Sequence, residues 1–323
     1  MPFSEIAIDQ IRSLGESKLI KQISDWLGPV TPAYPEGMGD DCALLPASKD
    51  LMVVTTDSLT FGQHFDASVS AKQAGAKLIK RNLSDIAAMG AQPSHAVLAL
   101  LCGPDLSYSW LEGFFTGIRD CCENYQVKIV GGDVSGLPAG QFSAVLTLMG
   151  TVSETRLRKG ATCYDYIYVT GTLGGSILSK HYTFEPRLAE GQWLANNQSC
   201  VSLMDLTDGI AKDLKLLLPD SSAAAINLEA IPVSADGDML SKRSGLDPLE
   251  HAFCDGEDYE LLFTVTKDAD LKDFESKWAS AFPNVQLSRV GQIIPSSETS
   301  KPYLNAATNE VLPWTSGFEH LTD

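Results

Sequence analysis

The stretch that most constrains this chain is residues 51–65, LMVVTTDSLTFGQHF. Leu51, Met52, Val53 and Val54 form a short apolar run of the kind a buried strand presents. It leads without a break into Thr55, Thr56, Asp57 and Ser58, four oxygen-bearing side chains in a row. On an extended backbone Thr55 and Asp57 share one face, and Thr56 and Ser58 the other. His64 follows in a loop rich in glycine and aromatic residues. Alone, such a strand end is an ordinary polar turn. It gains weight because it recurs.

Residues 1–27 read as two amphipathic helical pieces separated near Gly15, and Gly37-Met38-Gly39-Asp40-Asp41 then sets two acids behind two glycines. Ser70 caps a helix that Gly90 and Pro93 stop. Asp85 lies off its apolar stripe, with Arg81 as an i,i+4 partner. A strand over 96–101 and a helix over 108–124 precede a strand at 127–130 that ends in Gly131-Gly132-Asp133. Residues 142–152 alternate like another strand. A boundary near 150 divides the chain into residues 1–150 and 151–323.

Beyond it, Arg156-Leu157-Arg158-Lys159 is the densest positive cluster. A strand at 166–169 runs into Gly171-Thr172-Leu173-Gly174-Gly175-Ser176, a turn able to offer amides to a phosphate. It is no Walker A loop, since no Gly-Lys dipeptide occurs. Asp205, Thr207 and Asp208 open a helix over 210–218. A strand over 225–228, a loop through Asp238 and a short helix over 248–253 lead to Asp255-Gly256-Glu257-Asp258. A strand (259–265), a helix (269–282) and a strand (285–294) complete the second half. Trp314 and Phe318 keep the tail apolar.

With 323 residues the chain is long enough for two domains. A net charge of −17 works against nucleic acid or an anionic membrane as partner, so phosphates would be met through metal ions. No signal-peptide pattern opens the sequence, and the apolar run 96–102 is too short to span a bilayer. Seven cysteines without C-x-x-C fit a reducing, cytoplasmic setting.

Six places thus put acids beside glycine or hydroxyl residues: Asp40/Asp41, Asp57, Asp85, Asp133, Asp205/Asp208 and Glu257/Asp258. Two carboxylates about 4 Å apart repel by roughly 4 kcal/mol at an effective dielectric near 20, so convergence implies divalent cations. Carboxylate and hydroxyl oxygens suit Mg²⁺ or Ca²⁺ and not zinc. There is no H-E-x-x-H, no Cys/His zinc spacing and no EF-hand loop. Mg²⁺ held by few carboxylates, with phosphates completing its shell, points to phosphoryl transfer.

The segments GMGDDCALL, VTTDSLTFGQHF, NLSDIAAMGAQP, KIVGGD, MDLTDGI and DGEDYELLFTV, in this order, resemble the thiamine-monophosphate kinase family. That family sits in a superfamily with aminoimidazole ribonucleotide synthetase and selenophosphate synthetase. The resemblance implies an α/β (α+β) chain with the two-domain aminoimidazole ribonucleotide synthetase-like fold. Residues 1–150 would bind ATP and Mg²⁺ and dimerise, their sheet pairing with a second copy's into a dimeric β-barrel. Residues 151–323 would form an α/β domain closing over the active site.

The implied reaction moves the γ-phosphoryl group of ATP to thiamine monophosphate, with several Mg²⁺ ions and no covalent phospho-enzyme. By the same resemblance, Asp41, Thr55, Thr56, Asp57, Asp85, Asp133, Asp205 and Asp208 are expected to hold metal. Gly132, Asp133, Arg158, Thr207 and Phe115 would meet ATP; His64, Glu257 and Phe318 would meet the thiamine moiety. Asp57, Asp133 and Arg158 are the expected catalytic group. Asp255 stands where the family has glycine and is expected to add charge near the thiamine pocket. Rival readings are a superfamily enzyme with another acceptor, a metal-dependent phosphatase, and an acidic binding module without turnover.

Overall fold

The computed structural model describes residues 1–34, 36–38, 42–297 and 301–318. The chain divides into two compact units: residues 1–86 with 91–153, and residues 87–90 with 154–323.

In the first unit, helix α1 (Glu16–Leu27), strand β1 (Leu51–Thr60), helix α2 (Ala71–Ala88) and strand β2 (Gln92–Cys102) come first. Helix α3 (Tyr108–Tyr125), strand β3 (Lys128–Gly136) and strand β4 (Phe142–Val152) follow. The strands form one sheet in the order β1-β4-β2-β3, parallel only between β2 and β3. Alternation sets the core: Phe142, Ala144, Leu146 and Leu148 of β4 are buried, as are Ala96, Leu98 and Leu100 of β2. Leu78, Leu83 and Ile86 of α2 and Leu111, Phe114 and Ile118 of α3 are buried as well. Each of the Leu, Ile and Phe side chains among them contributes roughly 1.5–3 kcal/mol by leaving water.

Helix α2 starts with a reciprocal cap. The Gln73 N–H donates to Ser70 Oγ at 3.3 Å, and the Ser70 N–H donates to Gln73 Oε1 at 3.0 Å. The helical piece expected before Gly15 is instead two 3₁₀ turns, Ala7–Asp9 and Ile11–Ser13. Gln10 between them is extended and bridges Ser107, and the Ile11 N–H goes to the Leu106 carbonyl. Those backbone groups therefore serve the neighbouring segment and not a helix.

Two expected strand ends are corrected. β1 continues through Thr60, because β4 supplies ladder partners from Thr55↔Leu148 to Thr60↔Ser143. β3 likewise carries Gly131 to Gly136 against Val97 to Cys102 of β2. Asp57 and Asp133 thus lie inside strands, with backbones held by pairing.

The second unit is built on a six-stranded sheet. Strand β5 (Tyr166–Thr170), helices α4 (Lys180–Thr183) and α5 (Leu188–Asn196), strand β6 (Cys200–Asp205) and helix α6 (Ile210–Leu217) come first. Strand β7 (Ser222–Ile226), helices α7 (Ala235–Ser244) and α8 (Pro248–Cys254), strand β8 (Leu261–Val265), helix α9 (Leu271–Ala281) and strands β9 (Leu287–Pro295) and β10 (Tyr303–Asn305) follow. The order is β10-β7-β9-β5-β8-β6. Both faces are covered: Ile167, Val169 and Leu262 join one apolar cluster, and Tyr168, Phe263 and Trp278 another. The stretch read as a loop through Asp238 contains helix α7. Ser234 caps it by accepting the Gly237 N–H at 2.8 Å, and Gly245 ends it at φ +77°.

Candidate active site

In the first unit the chemistry gathers where α2 crosses β1. Lys77, Arg81 and Asp85 are four residues apart and form one stripe of the helix. The Lys77 ammonium, fully buried, donates to the His64 carbonyl at 2.7 Å. Arg81 Nη1 donates to the Ser58 carbonyl at 2.6 Å, and Nη2 lies 3.7 Å from Asp57 Oδ1. The Thr55 hydroxyl donates to the Asp85 carboxylate. Thr55, Asp57 and Asp85 are therefore brought together. Thr56 is on the other face of β1, where its hydroxyl donates to the Leu146 carbonyl at 3.1 Å. The His64 ring is held at its Nδ1, which accepts the Thr60 N–H at 3.0 Å.

Asp133 is not part of that group within this unit. One row of pairing runs Asp57–Leu146–Leu98–Gly132, so β1 and β3 are opposite edges of the sheet. Three strand spacings separate them, roughly 14 Å. Asp133 accepts the Ser135 hydroxyl at 2.7 Å, and with Gly132 and Phe115 it lines a cavity of about 550 Å³. Phe115 is buried and stacks on Trp26 with centroids 5.8 Å apart. Gly132 has a packing role too, since a Cβ there would collide with the Leu98 carbonyl. The Asp41 expectation lies outside the described residues.

In the second unit Asp205, at the end of β6, is buried and leads into the turn at Thr207 and Asp208. This turn is clamped from two sides. Asp213 Oδ2 accepts the N–H groups of both Thr207 and Asp208 at 2.9 Å. The Thr207 carbonyl accepts the Glu257 N–H at 2.7 Å, setting the turn beside Gly256 and Glu257. Burial pushes Asp213 up to about 6, against the two amides and Arg158, which favour the anion. Asp208 does not cap helix α6, whose N-cap is Gly209; its carboxylate pairs with Lys212 at 2.8 Å. The Phe318 N–H donates to the Asp208 carbonyl at 3.0 Å and its carbonyl accepts Lys212 Nζ at 2.9 Å, while the residue is 47% exposed. Arg158 is exposed; its neighbour Arg156 is structural, donating to the Cys200 carbonyl at 2.8 Å.

Glu257 adopts φ +53°, a left-handed backbone unusual for a side-chain-bearing residue. Tyr259 Oη donates to Glu257 Oε1 at 3.0 Å, and His181 Nδ1 stands 3.6 Å from Oε2. Two amides of the glycine-rich turn are taken by carboxyl groups of the chain itself. The Gly174 N–H donates to Asp258 at 3.0 Å and the Gly175 N–H to Asp255 at 2.9 Å. Asp255 also meets His251 Nδ1 at 2.9 Å, so its carboxylate is engaged by both the turn and helix α8. Beneath the turn, burial would raise Glu260, yet Arg187 (2.7 and 2.8 Å) and Lys180 (2.9 Å) hold it below the usual carboxylate range.

Reading the sequence missed Asp213, Lys77 and the Glu260 network. Asp213 left a signal, an acid set among Ile210, Ala211, Leu214 and Leu217 on the buried side of its helix.

Among the described residues no three His, Cys, Asp or Glu side chains gather closely enough to close around an ion. The donors that do converge, Thr55, Asp57 and Asp85, are all hard oxygens. They fit Mg²⁺, which takes one or two carboxylates and leaves the rest of its shell to water and phosphate.

Residues 39–152 match the family model for AIR synthase related protein, N-terminal domain. The chain is 33% identical over 299 residues to the thiamine-monophosphate kinase of Rhodopirellula baltica, covering 90% of this chain and 92% of that one. The crystal structure of thiamine-monophosphate kinase from Stenotrophomonas maltophilia superposes with a TM-score of 0.72 at 27% identity, over 97% of this chain and 99% of that one. AaThiL complexed with AMPPCP and TMP superposes with a TM-score of 0.68 at 27% identity, over 94% and 97%. The fold is that of an AIR synthase related phosphotransferase. Within that class, the chain belongs to the thiamine-monophosphate kinase family.

Proposed function

We propose that this chain transfers the γ-phosphoryl group of ATP to the phosphate of thiamine monophosphate, releasing thiamine diphosphate and ADP. The observation that carries the reading is the convergence of Thr55, Asp57 and Asp85 from two elements onto one face, an oxygen-only donor set beside Arg81. A relative, AaThiL, has been solved complexed with AMPPCP and TMP, which supports both substrates.

Thr55, Asp57 and Asp85 would hold one Mg²⁺ in the first unit, and Asp41, Thr56 and Asp133 would serve further ions. Asp205 and Asp208 would do so in the second. Bound Mg²⁺ would screen the repulsion between the two phosphate groups. Gly132, Asp133 and Phe115 would take the nucleotide, in keeping with the cavity they line, with Arg158 and Thr207 reaching its phosphates. His64, Glu257 and Phe318 would take the thiamine moiety. Asp57, Asp133 and Arg158 would carry catalysis. The acceptor is already an oxyanion, so orientation and charge stabilisation suffice, without a strong base or a covalent phospho-enzyme.

A homodimer fits the exposed apolar residues Leu51, Met52 and Val54 on edge strand β1. Seven free cysteines support a reducing, cytoplasmic setting. The residues up to about 150 would bind ATP and dimerise, and the rest would close over the site. The test is product identification by chromatography with ATP, Mg²⁺ and thiamine monophosphate, free thiamine serving as a parallel acceptor. Metal-dependent thiamine diphosphate with matching ADP is expected; phosphate release without an acceptor would replace the reading with a phosphatase.

A further inference from the structure

The β1–α2 crossing carries a cation as well as acids. Arg81 is largely buried, its side chain 12% exposed, whereas Asp57 beside it is 29% exposed. One arm of the guanidinium is fixed by the Ser58 carbonyl at 2.6 Å, and the other faces Asp57 at 3.7 Å. One helical turn on, Asp85 takes the Thr55 hydroxyl. The arginine is therefore anchored to the backbone of the same strand that carries Asp57 and Thr55. Its position relative to those oxygens is set by helix and strand and not by a flexible tether.

We propose that Arg81 is a positioning residue and built-in countercharge for these oxygen donors. It holds Asp57 in place before a divalent cation arrives, and it lowers the affinity for that cation by standing beside it. A permanent guanidinium cannot lose its charge, so the effect persists across the working pH range. The inference rests on the metal reading given above and concerns what the chain does when metal is absent. A cation that loosens metal binding favours a site loaded together with its phosphate ligand, since the phosphate adds the negative charge that Arg81 offsets.

The test uses Mn²⁺, a hard divalent probe, titrated alone into the full-length protein, with free ion counted by electron paramagnetic resonance. Arg81→Met and Arg81→Gln, both checked for native circular dichroism, are expected to bind Mn²⁺ on the order of tenfold more tightly than the parent, from loss of one nearby positive charge. Arg81→Lys is expected to bind it as the parent does. In EDTA the neutral variants are expected to melt about 2–4 °C lower, a deficit that Mn²⁺ restores. Unchanged or weaker Mn²⁺ binding by folded neutral variants overturns the inference. Mn²⁺ affinity that rises equally in Arg81→Lys overturns it too, by tracing the effect to shape and not to charge. A parent protein that binds no Mn²⁺ overturns the metal reading itself, which is a distinct result.

Discussion

The carboxylate of Asp213 accepts the backbone N–H of Asp208 at 2.9 Å, and the same oxygen accepts that of Thr207. A side chain from the first turn of α6 thus shapes the turn that precedes it. Asp213→Ala leaves two amides without their acceptor and is expected to lower stability by about 2–3 kcal/mol. It is also expected to raise the KM for ATP, with kcat less affected. Asp213→Asn keeps an acceptor oxygen and should lie near the parent in both. Urea unfolding and steady-state kinetics on the three proteins decide it.

Asp258 predicts a pH dependence. Burial pushes it up to about 7, although Lys180 stands 3.9 Å away and Gly174 donates its N–H. The folded chain therefore keeps a proton that the unfolded chain releases near pH 4. Between about pH 4 and pH 7 the folded state binds more protons, so this group's contribution to stability falls as pH rises. Asp258→Asn should remove that slope. The stability difference between parent and variant, followed by urea unfolding from pH 4.5 to 7.5, is expected to move against the parent by a few kcal/mol, on the order of one per pH unit. A constant difference contradicts the assignment.

Glu260 predicts the opposite kind of lesion. It is buried between Arg187, Lys180 and Thr170, whose hydroxyl reaches it at 2.8 Å. Glu260→Ala strands two cations and is expected to cost about 3–5 kcal/mol. Denaturant midpoints should show it, with the slope of unfolding unchanged.

For the chemistry, Asp57→Asn is expected to reduce turnover by at least about a hundredfold. Its melting temperature should stay within a few degrees of the parent, because the strand backbone is held by β4 through the Asp57↔Leu146 pair. Near-normal turnover with Mg²⁺ would place the site elsewhere.

The strongly periodic elements were legible in the sequence. Residues 142–152 alternate so regularly that strand β4 has those same bounds, and the Ser70 cap of α2 follows from one hydroxyl three residues before Gln73. The sharing of a face by Thr55 and Asp57 was legible as well, and on that face Thr55 meets Asp85 and Asp57 meets Arg81. What could not be read was set by partners distant in sequence. Thr56 to Thr60 look like a turn by composition, and only the ladder with β4 keeps them extended. The roughly 14 Å between Asp57 and Asp133 follows from strand order, which local pattern does not encode. Helix α7 has only Gly237 buried, so no apolar stripe marks it in the sequence.

The glycine-rich turn is ordered at Gly174 and Gly175 by the chain's own carboxyl groups. Both glycines adopt positive φ, +85° and +72°, and their successive amides point at carboxylates of the same chain. The carboxyl oxygens of Asp258 and Asp255 thereby take the places that an anion's oxygens would occupy, and the cradle is plugged from within. Such a plug needs no ligand to order the turn. Truncating both side chains, as in Asp255→Ala with Asp258→Ala, would leave two adjacent amide donors without their acceptors.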